Sequence, residues 1–296
     1  MKKLILIYLL LLGFQIVLGQ PSPKILVAAE YWTPTQKKFV KDKKIKIVTI
    51  VYEMYFTDDG KTFNKSKLTK ILNDVIPNEK DTGYAVLDWE GENFVKLIGE
   101  TRTSSEEYQQ ILNEFISAIE YAKKLRPNIK WSFFNFNPTA YPIMSTLYEK
   151  KYWRLSPLIS KLDFYAPALY LQDDVKGNRQ KIIQYLYTNL KSTIIMNNGS
   201  KEILPFIWHR YHNANEDNYL INDLDFKWYI EKILQTNYQG KNIAGIIWWN
   251  SESYLSQIPK KSKKLEIEFY LQRNNANYQY QILNKYFNIL NSITLN

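Results

Sequence analysis

The stretch "GYAVLDWEGENF", residues 83–94, decides how this chain is read. Tyr84, Val86, Asp88 and Glu90 share one side of a period-2 pattern, so an apolar strand ends in two carboxylates that face the same way. Parallel strands covered on both faces are apolar almost throughout, which confines acids to their carboxyl ends. Residues i and i+2 lie about 7 Å apart at Cα, and two carboxyls at that range in a partly desolvated cavity push each other's pKa upward. One is then kept protonated beside one ionised, the division a glycosidase needs. On spacing alone, D-x-E at a strand end also fits an ordinary polar terminus, and the residues by themselves leave both readings open.

Working outward, six further strand candidates have the same character: 25–31, 46–52, 131–135, 164–171, 203–208 and 244–249. Between them lie segments with apolar residues at helical spacing, at 65–75, 105–125, 179–195 and 223–235. Ser104 with Glu107 three residues on reads as a capping box for the second of these. Repeated strand–helix alternation over this length predicts an α/β fold, a TIM-like (β/α) barrel with seven strands counted rather than eight. The segment after the first strand, "EYWTPTQKK", has no glycine-rich phosphate loop, which takes most of the support from a dinucleotide or P-loop fold. The tail from Lys260 opens with "KKSKK" and then shows helical spacing at Ile282, Tyr286, Ile289, Leu290 and Ile293. It predicts one or two C-terminal helices packed on the barrel, with a membrane-surface helix as the alternative.

Residues 1–19 carry Lys2 and Lys3, an apolar stretch and small-residue spacing at Val17 and Gly19, and read as a secretory signal peptide. The remaining 20–296 read as a single domain, secreted or periplasmic, with no stable membrane insertion after cleavage. The chain has no cysteine, which excludes a lipoprotein anchor and any disulfide, so a large core must hold it together. The formal charge of +10 becomes +8 when the two signal lysines leave (10 − 2). A basic surface suits an anionic polymer, whether polysaccharide, nucleic acid or membrane, and charge alone does not choose. No nucleic-acid reading motif is visible, so nucleic acid is not expected as a partner. His209 and His212 lack further ligands, the G-x-S-x-G elbow is absent, and neither a metal nor a cofactor is expected.

The other strand ends are rich in aromatic and amide side chains: Asn135, Tyr170, Trp208, Tyr211, Trp248, Trp249 and Asn250. With 23 Tyr and 8 Trp in the chain, such residues suit either an aromatic core or a carbohydrate cleft.

Taken in order, "EYWTPTQ", "YAVLDWEGENF", "LRPNIKWSFFNFN", "APALYLQ", "ILPFIWHRY" and "AGIIWWNSES" together resemble the hyaluronidase family of glycoside hydrolases. The D-W-E also resembles that of the family-eighteen chitinases. The resemblance implies a distorted seven-stranded barrel and a retaining, substrate-assisted endo-glycosidase acting on a polysaccharide or glycosaminoglycan with N-acetylhexosamine units. Residue by residue, it implies Glu90 as general acid, Asp88 as holder of the acetamido nitrogen, and Tyr211 as a brace for that group. Tyr170 would stand beside Tyr211, and Trp249 would form the hydrophobic wall against the acetamido methyl. Tyr31, Trp208 and Asn135, in the matched segments, complete the substrate-binding set. The family follows D-W-E with a tryptophan-arginine-proline stretch, where this chain has Gly91 to Phe94, with Asn93 at the arginine's place. A non-catalytic polysaccharide-binding barrel is the rival reading.

Overall fold

The computed structural model describes residues 22–98, 104–136, 152–197, 201–212, 218–250 and 274–294, with residues 267, 268, 270 and 271 besides. The expected signal peptide at 1–19 and the "KKSKK" run lie outside the described residues.

Five strands pair in parallel with long registers or strong ladders. These are β1 (Lys24–Ala28), β2 (Lys46–Tyr52), β5 (Gly83–Asp88), β6 (Ile129–Phe133) and β12 (Gly245–Trp249). With the short β9 (Phe206–Ile207) they form a six-stranded sheet in the order β6-β5-β2-β1-β12-β9. Two further strands, β7 (Phe164–Tyr165) and β8 (Glu202–Ile203), pair separately. The expected strands 164–171 and 203–208 are therefore shortened, and the physical reason is proline. Pro167 and Pro205 carry no N–H to donate, so the ladders break there. Hydrogen bonding continues around the breaks. Asp163 N donates to Trp131 O and Asn135 N to Ala166 O on one side, while Leu204 N donates to Tyr165 O and Phe206 N to Pro167 O on the other. Two small hairpins, β3–β4 (Thr57–Asp58, Thr62–Phe63) and β10–β11 (Asn237–Tyr238, Lys241–Asn242), decorate the loops.

The helices follow from local spacing and caps. Eight occur among the described residues: α1 (Pro34–Asp42), α2 (Lys65–Val75), α3 (Glu92–Ile98), α4 (Ser105–Leu125), α5 (Tyr152–Ile159), α6 (Arg179–Asn197), α7 (Asp223–Leu234) and α8 (Ala276–Thr294). The capping box belongs to α1, not α4. Thr33 accepts from Gln36 N, and the Gln36 side chain accepts from Thr33 N at 2.9 Å. Pro34 at the first helical position adds to the start signal. At α4, Ser104 does accept from Glu107 N at 3.1 Å, but the Glu107 carboxylate is drawn off to Lys96 at 2.7 Å.

Strand alternation sorts the apolar residues into two layers. On the concave face, Leu26, Val48, Val86, Phe164, Leu204, Phe206 and Ile247 form one cluster. Their neighbours Val27, Val51, Leu87, Phe133, Ile207 and Trp248 face outward, into the larger core under the helices. The tail packs as expected. Tyr280 and Phe287 of α8 meet Phe39 of α1 edge-on at 5.5 and 5.7 Å, and the Tyr286 hydroxyl donates to Ile221 O at 2.5 Å. The stripe that could have met a membrane is thus spent on the core. Among the described residues no helix is long and apolar enough to cross a membrane.

Candidate active site

The D-W-E triplet obeys the same alternation. Trp89 points outward and is buried, stacked on Phe115 of α4 at 4.2 Å and 10° and donating its indole N–H to Gly60 O at 2.7 Å. Asp88 and Glu90 point the other way, into a cavity of about 430 Å³ at the carboxyl end of the sheet. The tryptophan between the acids is therefore an anchor, clamping the strand end so that both carboxylates are presented together.

Other strand ends complete the lining. Tyr52 closes β2 and Glu53 follows it, Glu30 follows β1, Phe134 and Asn135 follow β6, Trp249 closes β12, and Ala168, Tyr170, Gln172 and His212 come from the segments after β7 and β9. Trp249 and His212 both pack on Tyr170, at ring separations of 5.5 and 5.2 Å and near-parallel angles of 28° and 30°. These rings make a continuous aromatic wall facing the acids. The Trp249 indole also donates to the Tyr52 hydroxyl, which ties the wall to the acidic side.

The electrostatics are those of crowded acids. Burial first, and then the charges of Glu90, Glu53 and Glu30, hold the Asp88 carboxyl well above the ordinary range. Glu90 is also raised, by burial and by Glu53, against the pull of a hydrogen bond from Asn135 Nδ2 to its Oε1 at 3.3 Å. The Glu90 carboxyl is open to cavity solvent, while protein surrounds it on most other sides, as befits a group set in a cleft. Asn135 itself sits at φ 51°, a left-handed conformation that asparagine tolerates better than most residues. Burial and the two acids raise the Tyr170 hydroxyl, and burial lowers His212, so both are neutral at pH 7.

Of the residues expected from the sequence, Asp88, Glu90, Asn135, Tyr170 and Trp249 line this cavity. Trp208, fully buried, forms a layer behind it, 4.8 Å from Trp249 and 6.3 Å from Tyr170. Tyr31 and Tyr211 are not lining residues. Tyr31 is 56% exposed and bonded to Tyr55, while the Tyr211 hydroxyl meets Asp174 and Val175 N at 3.4 and 3.5 Å. Parity explains both. With Leu26 and Ala28 inward, the next inward residue is Glu30, not Tyr31, and after Trp208 the chain turns Tyr211 aside. Glu30 and Tyr52 were legible from that parity. Glu53 was not, because it sits in a 3₁₀ turn after β2 and reaches the site off the strand pattern.

The two histidines separate. His209 is buried against Tyr286 and accepts from the Trp248 indole at 3.1 Å, whereas His212 faces the cavity. Among the described residues no three His, Asp or Glu side chains are arranged so that they could hold a metal ion. The residues after the acids also have structural employment. Asn93 is buried and donates to Lys61 O at 2.9 Å, and Glu92 pairs with Lys61 and Lys96, which brings its pKa down to about 2. Neither Glu92 nor Asn93 lines the cavity.

Compared by sequence, the chain matches no protein-family model and no curated protein. Compared by structure, it is similar to bee venom hyaluronidase. In the complex of that enzyme with a hyaluronic acid tetramer, the match has a TM-score of 0.57 at 16% identity, covering 88% of this chain and 99% of the other. The monoclinic crystal form of the same enzyme matches with a TM-score of 0.54 at 18% identity, over 86% and 99%. An endo-β-N-acetylglucosaminidase from Cordyceps militaris matches more loosely, with a TM-score of 0.41 at 12% identity over 76% and 70%. The protein thus shares the overall fold of a hyaluronidase, along almost the whole length of that enzyme.

Proposed function

We propose that this protein is a retaining glycosidase that cleaves a polysaccharide beside its N-acetylhexosamine units. The observation that carries the reading is the paired cavity-facing carboxyls of Asp88 and Glu90, both raised in pKa, opposite the Trp249–Tyr170 wall. Fold likeness to an enzyme solved with a hyaluronic acid tetramer supports it. Glu90 protonates the glycosidic oxygen as the bond from C1 breaks, and the substrate's acetamido oxygen closes on C1 to give an oxazolinium. Glu90, now ionised, then takes a proton from the water that opens that ring, so configuration is retained. Asp88 accepts the acetamido N–H, which favours its ionised form and leaves the shared proton on Glu90, where the acid is needed. The aromatic wall fixes the acetamido group, without which an internal nucleophile gains nothing from proximity.

The same reading takes the hydrogen bonds on both sides of residues 163–169 as support for a sheet closed into seven strands. It takes residues 20–296 as one working unit, exported by the leader at 1–19. The test is Glu90→Gln assayed for reducing ends on chitin, hyaluronan and chondroitin oligomers. The variant is expected to lose at least a thousandfold while melting as the parent does. Cleavage at the parent's rate would end the proposal, and sugar binding without cleavage by the parent would make the protein a lectin-like barrel.

A further inference from the structure

We propose that the cavity selects a hexosamine glycan that carries no acidic sugar, and that Glu30 and Glu53 impose the selection. This rests on the glycosidase reading of the same cavity. Four carboxylates line it, and among the described lining residues there is no lysine or arginine. Only Asp88 and Glu90 have work in the reaction. Glu30 and Glu53 add negative charge that catalysis does not require and that raises Asp88.

Glu53 is held there by construction. Its Oε2 accepts from Gly91 N at 3.1 Å, directly after the acid at 90. A Cβ at position 91 would lie 3.2 Å from that oxygen and 3.4 Å from Gly60 O, so the absence of a side chain lets the turn close on Glu53. The residue that follows the acid pair therefore serves to bring a third carboxylate beside it.

A uronate entering this cavity would set its own carboxylate against these, in a cleft where repulsion is screened poorly and whose described lining residues include no lysine or arginine. An uncharged N-acetylhexosamine instead offers hydroxyl and amide donors, which make charge-assisted bonds to carboxylates. A free amine would gain further. Beside the cavity, Tyr31, Tyr55 and Met54 present an exposed apolar shelf of the kind on which uncharged sugar faces lie. The basic net charge of the chain does not oppose this. Lys24 and Lys130 are engaged with Glu202 at the other end of the sheet, and Lys61 and Lys96 with Glu92 outside the cavity. Over distances beyond a Debye length of about 8 Å such charges are screened.

The test compares matched hexamers: N-acetylglucosamine chitin-type, the same partly de-N-acetylated, and hyaluronan. Binding is measured on Glu90→Gln to prevent turnover, cleavage on the parent, both at low and high salt. Both chitin-type hexamers are expected to bind at least tenfold tighter than the hyaluronan hexamer at low salt, with the gap shrinking as salt rises. Adding Glu53→Gln and Glu30→Gln should narrow it to under threefold, with thermal melting verifying the fold and either single change serving if the pair fails to fold. Hyaluronan bound equally or tighter, or a gap unmoved by the glutamines, would overturn the inference. Preferred cleavage of hyaluronan would sink it while leaving the glycosidase reading intact. Selective binding of the chitin-type hexamers with no cleavage by the parent would uphold it and sink the glycosidase reading instead, and binding of none would sink both.

Discussion

Asn135 reaches Glu90 from a left-handed backbone: its Nδ2 donates to Glu90 Oε1 at 3.3 Å while its own φ is 51°. Its Oδ1 meanwhile accepts from Ala168 N at 3.4 Å, so one amide links the acid to the segment that follows β7. A donor to a carboxyl favours the ionised form, and here it opposes the upward push of burial.

Asn135→Ala should therefore raise the Glu90 pKa further and move the alkaline limb of the activity profile to higher pH. Lost positioning should also lower kcat/KM by about tenfold or more. Asn135→Gly, which relieves the backbone but lacks the amide, should show the same pH shift with a smaller loss of stability. A profile unmoved in both variants would remove Asn135 from the chemistry.

Asp88 is a stability cost kept for function. Its folded pKa lies above its unfolded one, so the unfolded chain loses that proton first, and unfolding becomes easier as pH rises past about 3.9. Asp88→Asn should raise the melting temperature at pH 7 on the order of 2 °C, raise it little near pH 3, and abolish turnover. Melting curves at the two pH values decide it; a lower melting temperature at pH 7 would contradict the argument.

Glu202 works in the opposite sense at the far end of the sheet. Burial alone would raise it, but hydrogen bonds from Lys24, Lys130 and Tyr84 bring it down to about 2. Its contribution is complete above the unfolded value of about 4.3 and is lost as pH falls through the folded one. Glu202→Gln should cost about 2 kcal/mol at pH 7, a figure discounted for the half-exposed lysines, and far less near pH 2. Urea titrations at both pH values measure the difference.

Gly245 marks the seam between β1 and β12. A Cβ there would fall 2.3 Å from Lys24 O and 2.6 Å from Lys24 N, closer than backbone atoms permit. Gly245→Ala should destabilise the fold by about 3 kcal/mol or more, because the strands must part to admit a methyl group. A urea midpoint equal to the parent's would show that the seam is looser than its geometry.

Much of this was written locally. Helices 65–75 and 105–125 were legible to the residue, because apolar spacing and Asn64 or Ser104 caps act within a turn or two. The start of α1 was equally local, in Thr33, Pro34 and Gln36. Strand parity carried Asp88, Glu90, Tyr170 and Trp249 to one face, and the same parity names Glu30 and Tyr52. Aromatic abundance was a poorer guide, since Trp208 lies behind the wall and Trp89 anchors the far side.

By itself, then, the sequence determined the alternation of strands and helices and the side to which each strand residue points. Both depend on periods of two and 3.6 residues that neighbours along the chain enforce. Only the tertiary structure decided which strand ends meet, that Glu53 would swing in from a turn, and that Asn135 would hold Glu90. Those facts depend on contacts such as Gly91 to Glu53, 38 residues apart, where no local rule links the partners.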